Sequence, residues 1–339
     1  MITMQEAKDV SKIDCRKNNI IKSLSSRSLI SVVIEPASIC NLQCKFCDAH
    51  SKRTDFKSQA GIMDLQLHNS RIIDQFSNMG WHLKCLQYHG NGEPLLNNDL
   101  SRMVTYARKK NVADVIRIIT NGIRLTRTML SQLIDAGVDE IHISLDMVDR
   151  RRYKDVKGKD KIEKVLSHVN NAINMAERLK SFQLFIKFFD SQKGIIKKNA
   201  YGCKDSDAEA VLSQFKEVAL SSTHVALKSQ TLVKVFDRSK ISNTACEIPF
   251  YLSYFRHNGL VSVCCSDITG NLIYGDLMKS HFIDIYNSKE LMKIRCAHLN
   301  ERLEDYPICQ HCQNRTAVVL DQESRQQISI ALLQQNKGN

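Results

Sequence analysis

The chain has 339 residues, of which 43% are hydrophobic and 25% charged, with 4 Pro and 13 Gly; this ordinary globular composition excludes collagen-like, low-complexity and disordered classes. Its length accommodates one large α/β domain of about 200 to 250 residues and a smaller attachment. The net charge of +12 draws anionic partners, whether phosphorylated substrates, acidic peptides or nucleic acid, although the basic concentrations at 108–110, 150–161 and 197–198 belong to no recognised nucleic-acid module and are interrupted by Asp149, Asp155 and Asp160.

Residues 1–27 form a polar leader without the apolar core of a signal peptide, and no stretch reaches the roughly 18 apolar residues of a membrane span. The expectation is a cytoplasmic protein with no membrane partner. Twelve cysteines in that reducing compartment point to metal ligation or catalysis, not to disulfides. Beyond the leader, β-branched runs alternate with amphipathic stretches, the pattern of a parallel sheet built from strand–helix units. Six strands are predicted: SLISVVIE (28–35), LKCLQY (83–88), DVIRIIT (114–120), EIHISLD (140–146), SFQLFIKFF (181–189) and THVALKSQ (223–230). Apolar residues at spacings of three and four predict helices over 65–79, 100–110, 128–136, 162–179 and 207–220. Six units without a clear seventh and eighth predict an α/β fold, an open partial (β/α)6 barrel over 28–238. A small cysteine-rich domain is expected over 239–318, with turns at Asn258-Gly259 and Gly270-Asn271 and a helix over 281–298, followed by a helical tail over 319–339.

Directly after the first strand, CNLQCKFC sets Cys40, Cys44 and Cys47 in the spacing C-x3-C-x2-C. Three thiolates on one short loop can hold three irons of a cubane [4Fe-4S] cluster and leave the fourth iron to a chelating ligand. Structural zinc with His50 as a further ligand competes, although such sites usually draw on CxxC pairs. The loop resembles the signature of the radical S-adenosylmethionine (radical SAM) superfamily, whose open iron binds the amino and carboxylate groups of the cofactor's methionine. GNGEP (90–94), read alone, is a Gly-Pro turn. Beside the cysteine loop it is similar to the superfamily's glycine-rich motif, which implies Gly92 and Glu93 at the methionine amino group.

ITNG (119–122) and ISLD (143–146) close the third and fourth strands in agreement with the resemblance, which implies Asn121 and Ser144 at the cofactor. Strand alternation turns His142, Ser144 and Asp146 to the lumen and Ile141, Ile143 and Leu145 to the helices, with Asp146 read as an N-cap. Where many relatives carry Arg-Gly, this chain has Lys157-Gly158. The carry-over implies that Lys157 pairs with the methionine carboxylate, supplying charge without the fork of Arg. The resemblance spans roughly residues 28–230.

The second set of thiols is Cys246, Cys264, Cys309 and Cys312: twelve residues separate Cys246 from Gly259, four more precede Cys264, and CQHC supplies the last pair. Four thiolates close a cluster with no open iron, and they also suit a zinc knuckle. The layout resembles the SPASM and twitch auxiliary domains of radical SAM enzymes, including twitch-bearing aminocyclitol dehydrogenases. With no cysteine after Cys312, one auxiliary [4Fe-4S] cluster is expected.

The resemblance implies reductive cleavage of S-adenosylmethionine to a 5′-deoxyadenosyl radical, with a reductase such as flavodoxin or ferredoxin as electron donor. The radical would abstract a substrate hydrogen, and oxidation of a carbohydrate or aminocyclitol alcohol would pass the remaining electron to the auxiliary cluster. The substrate is then a small molecule, anionic or sugar-linked. Lys187 and Lys228, charged residues within apolar strands, are candidate bases for the hydroxyl proton, with His89 and His142 behind them. A radical SAM enzyme that crosslinks or epimerises a ribosomal peptide is the alternative; epimerisation would need a thiol donor, for which Cys265, Cys203 and Cys296 are candidates. Peptide maturases usually begin with a leader-recognition domain, and only 27 residues precede the first strand here. A non-catalytic iron-sulfur or zinc protein that binds nucleic acid is the third reading, opposed by the Glu93 and Ser144 motifs.

Overall fold

Runs of Ile and Val, stiff at χ1 and suited to a pleated surface, organise the molecule. The computed structural model describes residues 20–24, 29–47, 49, 60–189, 206–230, 245–310, 312, 319–320 and 322–336. Six strands, β1 (Ser31–Ile34), β2 (Leu83–Tyr88), β3 (Ala113–Thr120), β4 (Glu140–Asp146), β5 (Gln183–Phe189) and β6 (Val225–Gln230), lie parallel in chain order. These are the expected six strands of the partial barrel.

Between them run a π-helical stretch Leu67–Ile73 continuing into α1 (Asp74–Asn78), then α2 (Leu100–Lys109), α3 (Arg127–Asp135), α4 (Arg150–Lys157), α5 (Ile162–Leu179) and α6 (Ser206–Ser221). Val32, Ile34, Leu86, Ile116, Ile118, Ile141, Ile143 and Ile186 form the buried outward face of the sheet, packed in one core with Met103, Val104, Leu130, Leu133, Val165 and Val169 of the helices. Burying each such side chain contributes about 1.5–3 kcal/mol. Helix α4 has no counterpart among the helices expected from periodicity. Only Tyr153 and Lys157 of its eight residues are buried, so its sequence carries no apolar repeat.

The cysteine-rich region continues the barrel sheet. After β7 (Ala245–Cys246) and α7 (Ile248–Tyr251), β8 (Leu252–Phe255) adds parallel to β1; β9 (Leu260–Ser262) and β10 (Ile273–Asp276) follow antiparallel, giving the order β10-β9-β8-β1-β2-β3-β4-β5-β6. An aromatic cluster of Phe76, Trp81, Phe255, Phe282 and Tyr286, with ring centroids 5.0–6.1 Å apart, joins this region to α1. The helix expected over 281–298 is divided into α8 (Phe282–Tyr286) and α9 (Lys289–Leu299), because Ser288 caps a new helix on the Leu291 N–H. Past α10 (Pro307–Gln310), β11 (Val319–Leu320) pairs with β7, and α11 (Gln322–Asn336) places Ile328, Ala331 and Leu332 against Ile20, Leu24 and Phe250. His50, Cys203 and the basic pair at 197–198 lie outside the described residues, as does the side chain of Lys228.

Candidate metal centres and cofactor site

The first cysteine loop leaves β1 at the open end of the barrel and is held from two sides. On one side, the last turn of α4 offers its unsatisfied carbonyls: the Gln43 N–H donates to Lys157 O (3.1 Å) and the Lys45 N–H to Val156 O (2.8 Å). Asp149 caps the start of this helix by accepting from the Arg152 N–H at 2.6 Å, so the N-cap is Asp149 and not Asp146. Gly158 ends it at φ +74°, where a Cβ would stand 2.8 Å from Gln43 O. On the other side, the Glu93 N–H donates to Ile39 O (2.8 Å), and Gly92 approaches so closely that a Cβ would lie 2.3 Å from both Ala37 O and Ile39 O.

Glu93, Asn121 and Cys40 converge. The buried Glu93 carboxylate accepts from Thr120 Oγ1 (2.6 Å), the Asn121 N–H (2.7 Å) and the Leu95 N–H (3.0 Å). Burial raises its pKa, and these bonds oppose the rise. Asn121 Nδ2 donates to Asn41 Oδ1 (2.7 Å) and reaches Cys40 Sγ at 3.8 Å. The three loop thiols lie close enough to influence one another electrostatically, and burial pushes Cys44 up to about 12, with the Lys157 charge opposing it. Three adjacent, half-buried thiols on a clamped loop are a donor set that fits three corners of a cubane cluster.

Lys157 faces inward. Its ammonium pairs with Asp146, donates to Ser144 O (3.1 Å) and lies 5.5 Å from the centroid of the Phe46 ring. Burial would lower its pKa, but Asp146 and Cys44 hold it above the ordinary value. Asp146 reaches this position through a left-handed backbone, φ +67°, at a register shift between β4 and β5, so it departs from the lumen alternation expected for it.

The lumen face is polar. Arg117 Nε donates to Glu140 Oε2 (2.6 Å) and Nη1 to Gln87 Oε1 (3.3 Å); Glu140 Oε2 also meets His142 Nε2 (2.9 Å), whose ring lies 4.4 Å from that of Phe185. Burial opposes ionisation of Glu140, yet the bonds from His142 and Arg117 pull it down to about 2. Ser144, Lys187 and Lys228 occupy matching positions on β4, β5 and β6. His89, at the end of β2, is pushed down to about 3, first by burial and then by the nearby Lys187 charge.

Glu35, which the sequence did not single out, links the two regions. Fully buried, it accepts from Tyr254 Oη (2.6 Å) and the Asn91 N–H (2.9 Å), and meets His257 Nδ1 at 3.2 Å. Burial raises its pKa, but these partners outweigh it and the net shift is downward. A carboxylate closing an apolar strand, VVIE, is the signal that marks it.

Cys246, Cys264, Cys309 and Cys312 line one apolar cavity of about 40 Å³ with Ile248, Pro249, Val263, Leu272 and Ile308. Four thiols converging on one pocket are a donor set that fits the four corners of a closed cubane cluster. Buried Asp267 holds the wall, accepting from Ser262 Oγ (2.7 Å), the Asn271 N–H (2.8 Å) and the Leu272 N–H (2.9 Å). His298, another lining residue missed in the sequence, accepts the Cys246 N–H on Nδ1 at 3.2 Å. Cys264 and Cys265 lie beyond the end of β9, at a turn closed by the Asp267 N–H on Cys264 O (3.1 Å). The turn, not strand alternation, separates their side chains: Cys264 lines the cavity, whereas Cys265 packs beside Val33, Leu252 and Tyr254. The Cys265 thiol hydrogen-bonds Cys264 and holds its pKa below the ordinary thiol value.

A partial barrel with a three-thiol loop at its mouth, and a four-thiol cavity on a continuation of its sheet, defines a class of iron-sulfur proteins built to work beside a small cofactor. Residues 34–185 match the radical SAM superfamily and residues 246–313 match SPASM, an iron-sulfur cluster-binding domain. The chain belongs to the radical SAM superfamily and carries a C-terminal SPASM region. It is 30% identical over 149 residues to GTP 3′,8-cyclase of Chlorobaculum tepidum (44% of this chain, 42% of that one) and 34% identical over 137 residues to a probable GTP 3′,8-cyclase of Metallosphaera sedula (40% of each). The chain thus spans about two fifths of the length of these curated relatives. Its fold is shared with BtrN in complex with AdoMet and 2-DOIA (TM-score 0.57, 18% identity, 87% of this chain and 96% of that one) and with anSMEcpe with bound AdoMet (TM-score 0.52, 14% identity, 91% and 98%). Among the described residues, no helix is long and apolar enough to cross a membrane.

Proposed function

We propose that this protein is a radical SAM oxidoreductase that takes a hydrogen atom from a hydroxylated small molecule, a carbohydrate or aminocyclitol alcohol, and oxidises the alcohol to a carbonyl. The observation that carries the reading is the convergence of Cys40, Glu93 and Asn121 at the mouth of a polar lumen whose sheet continues into a four-thiol cavity. Cys40, Cys44 and Cys47 would hold the cluster that binds S-adenosylmethionine, and Cys246, Cys264, Cys309 and Cys312 one auxiliary cluster. When bound, these groups supply one-electron chemistry: a carbon radical that takes the hydrogen and an acceptor for the electron left behind.

The chain's own residues orient and protect. Gly92, Glu93 and Asn121 form the wall at which the methionine end of the cofactor would rest, with Ser144 on β4, the strand beside β3. Lys157 acts from beneath, because its charge is committed to Asp146; this geometry supports a role in holding the cysteine loop more than direct pairing with the cofactor. Arg117, Glu140, Gln87 and His142 provide fixed donors and acceptors that suit a polyhydroxylated substrate better than an apolar peptide side chain. Lys187, beside His89 and in register with Ser144, is proposed to receive the hydroxyl proton, with Lys228 the neighbouring candidate. Both clusters require the reduced thiols of a compartment such as the cytoplasm.

Anaerobic reconstitution should load about eight irons, four in each cluster, and the reduced protein should release 5′-deoxyadenosine from S-adenosylmethionine. Iron near four per chain would remove the auxiliary cluster. Absence of 5′-deoxyadenosine from fully loaded protein would overturn the enzymatic reading.

A further inference from the structure

Seven basic side chains crowd residues 150–161, and the proposed chemistry uses none of the exposed ones. Lys157 is buried on Asp146, Arg152 is half-buried, and Arg150 is matched by Asp160 (2.9 Å) and Glu163 (2.8 Å). Arg151, Lys154, Lys159 and Lys161 remain exposed and without an ion-pair partner among the described residues. The nearby acid Asp155 is paired with Lys45 of the cysteine loop, so it does little to offset them.

Their position matters as much as their charge. Helix α4 is the element whose last carbonyls hold the cysteine loop through Gln43 and Lys45, both of which are exposed. The basic face and the exposed edge of the loop are therefore neighbours, whereas the lumen polar groups lie on the inner face of the sheet. A cluster on this loop must receive each electron from outside, and the face beside it is positively charged.

We infer that the outer face of α4, with the edge of the cysteine loop, is the docking surface for an acidic one-electron carrier protein. The inference rests on the proposed function and names the partner of that same site. In the encounter the carrier is oxidised by one electron and the cluster held by Cys40, Cys44 and Cys47 is reduced by one, with no bond made or broken in either protein. Charge attraction of this kind acts mainly on the rate of encounter and weakens as salt rises. Nucleic acid could also meet a basic face, but a short one beside the redox loop suits a compact acidic protein better than an extended phosphate backbone.

The test uses the fully loaded protein and its triple variant Arg151→Glu, Lys154→Glu, Lys159→Glu, none of which belongs to the proposed site. Cluster reduction is followed by stopped-flow absorbance with two reductants: reduced flavodoxin, as the acidic carrier, and photoreduced 5-deazaflavin, a small reductant that needs no docking surface. The expected result is a fall of about tenfold or more in the second-order rate with flavodoxin at low salt, loss of its salt dependence, and an unchanged rate with deazaflavin. Equal flavodoxin rates in both proteins would overturn the proposal, as would equal slowing with both reductants. An unchanged flavodoxin rate with loss of binding to a labelled DNA duplex would assign the face to nucleic acid instead. If the triple variant loads less iron, Arg151→Glu and Lys154→Glu are read singly with the same two reductants. Failure of the parent protein to release 5′-deoxyadenosine under either reductant would strike the proposed function itself, separately from the docking surface.

Discussion

Glu93 illustrates how much one carboxylate is asked to do here. It terminates two backbone N–H groups and the Thr120 hydroxyl while standing beside the Asn121 amide that reaches Cys40. Glu93→Gln turns one acceptor into a donor facing existing donors, and an unsatisfied buried group costs about 1–3 kcal/mol. The expected outcome is a lower melting temperature together with at least about tenfold weaker S-adenosylmethionine binding by calorimetry, which corresponds to 1.4 kcal/mol. Melting that falls with unaltered binding would leave Glu93 a purely structural residue. Cys265 is the second case. Its side chain packs beside Val33, Leu252 and Tyr254 while its thiol bonds to Cys264, so Cys265→Ala should retain full iron and still form product in deuterated water with no deuterium at the reacting carbon. Solvent deuterium that appears at carbon in the parent protein and vanishes in the variant would make Cys265 a hydrogen donor.

Among the elements, α4 matters most to the site and was least legible. The six strands and the helix over 162–179 could be read because alternation or apolar spacing repeats along them, and that repetition is what buries one face. In contrast, α4 is largely charged and is held by its cap, its Gly158 stop and the loop it supports; the Asp149 start and Gly158 end were its available signals. Gly158→Ala tests the element. A side chain at φ +74° meeting Gln43 O should destabilise the protein by about 1–2 kcal/mol and lower iron retention on the first loop, measured as irons per chain after desalting. Unaltered iron retention would show that α4 does not hold the loop in place.

For the molecule as a whole, acid sensitivity follows from buried groups in the barrel wall. His68, buried between Tyr88 Oη (2.8 Å) and Asn69 Oδ1 (2.7 Å), is pushed by burial from 6.5 down to about 4. Below pH 6.5 the unfolded chain binds a proton that the folded protein refuses, so stability declines as pH falls from 6.5 towards 4, by on the order of 3 kcal/mol. Glu140 adds to this at lower pH: its depressed folded pKa contributes stability above 4.5 that is lost as pH falls towards 2. Urea midpoints of the apoprotein between pH 7 and 4 should therefore fall steadily, and His68→Gln should make the decline shallower, the part that remains coming from His89, whose pKa burial lowers as well. An equally steep decline in the variant would exclude His68 as its source.

The amino-acid sequence by itself determined the strand rhythm, the partial barrel and the two sets of thiols, because periodicity and short spacings are local properties that no distant contact has to supply. The GNGEP, ITNG and ISLD segments were legible for the same reason. Only the tertiary structure decided how they combine. Glu93 meets Asn121 across 28 positions of chain, through the parallel register of β2 with β3, and Tyr254 reaches Glu35 across 219, through that of β1 with β8. The inward turn of Lys157 onto Asp146 likewise depends on a left-handed residue at a register shift. Such contacts follow from which strand lies beside which, and strand neighbours are set by the packing of the whole core.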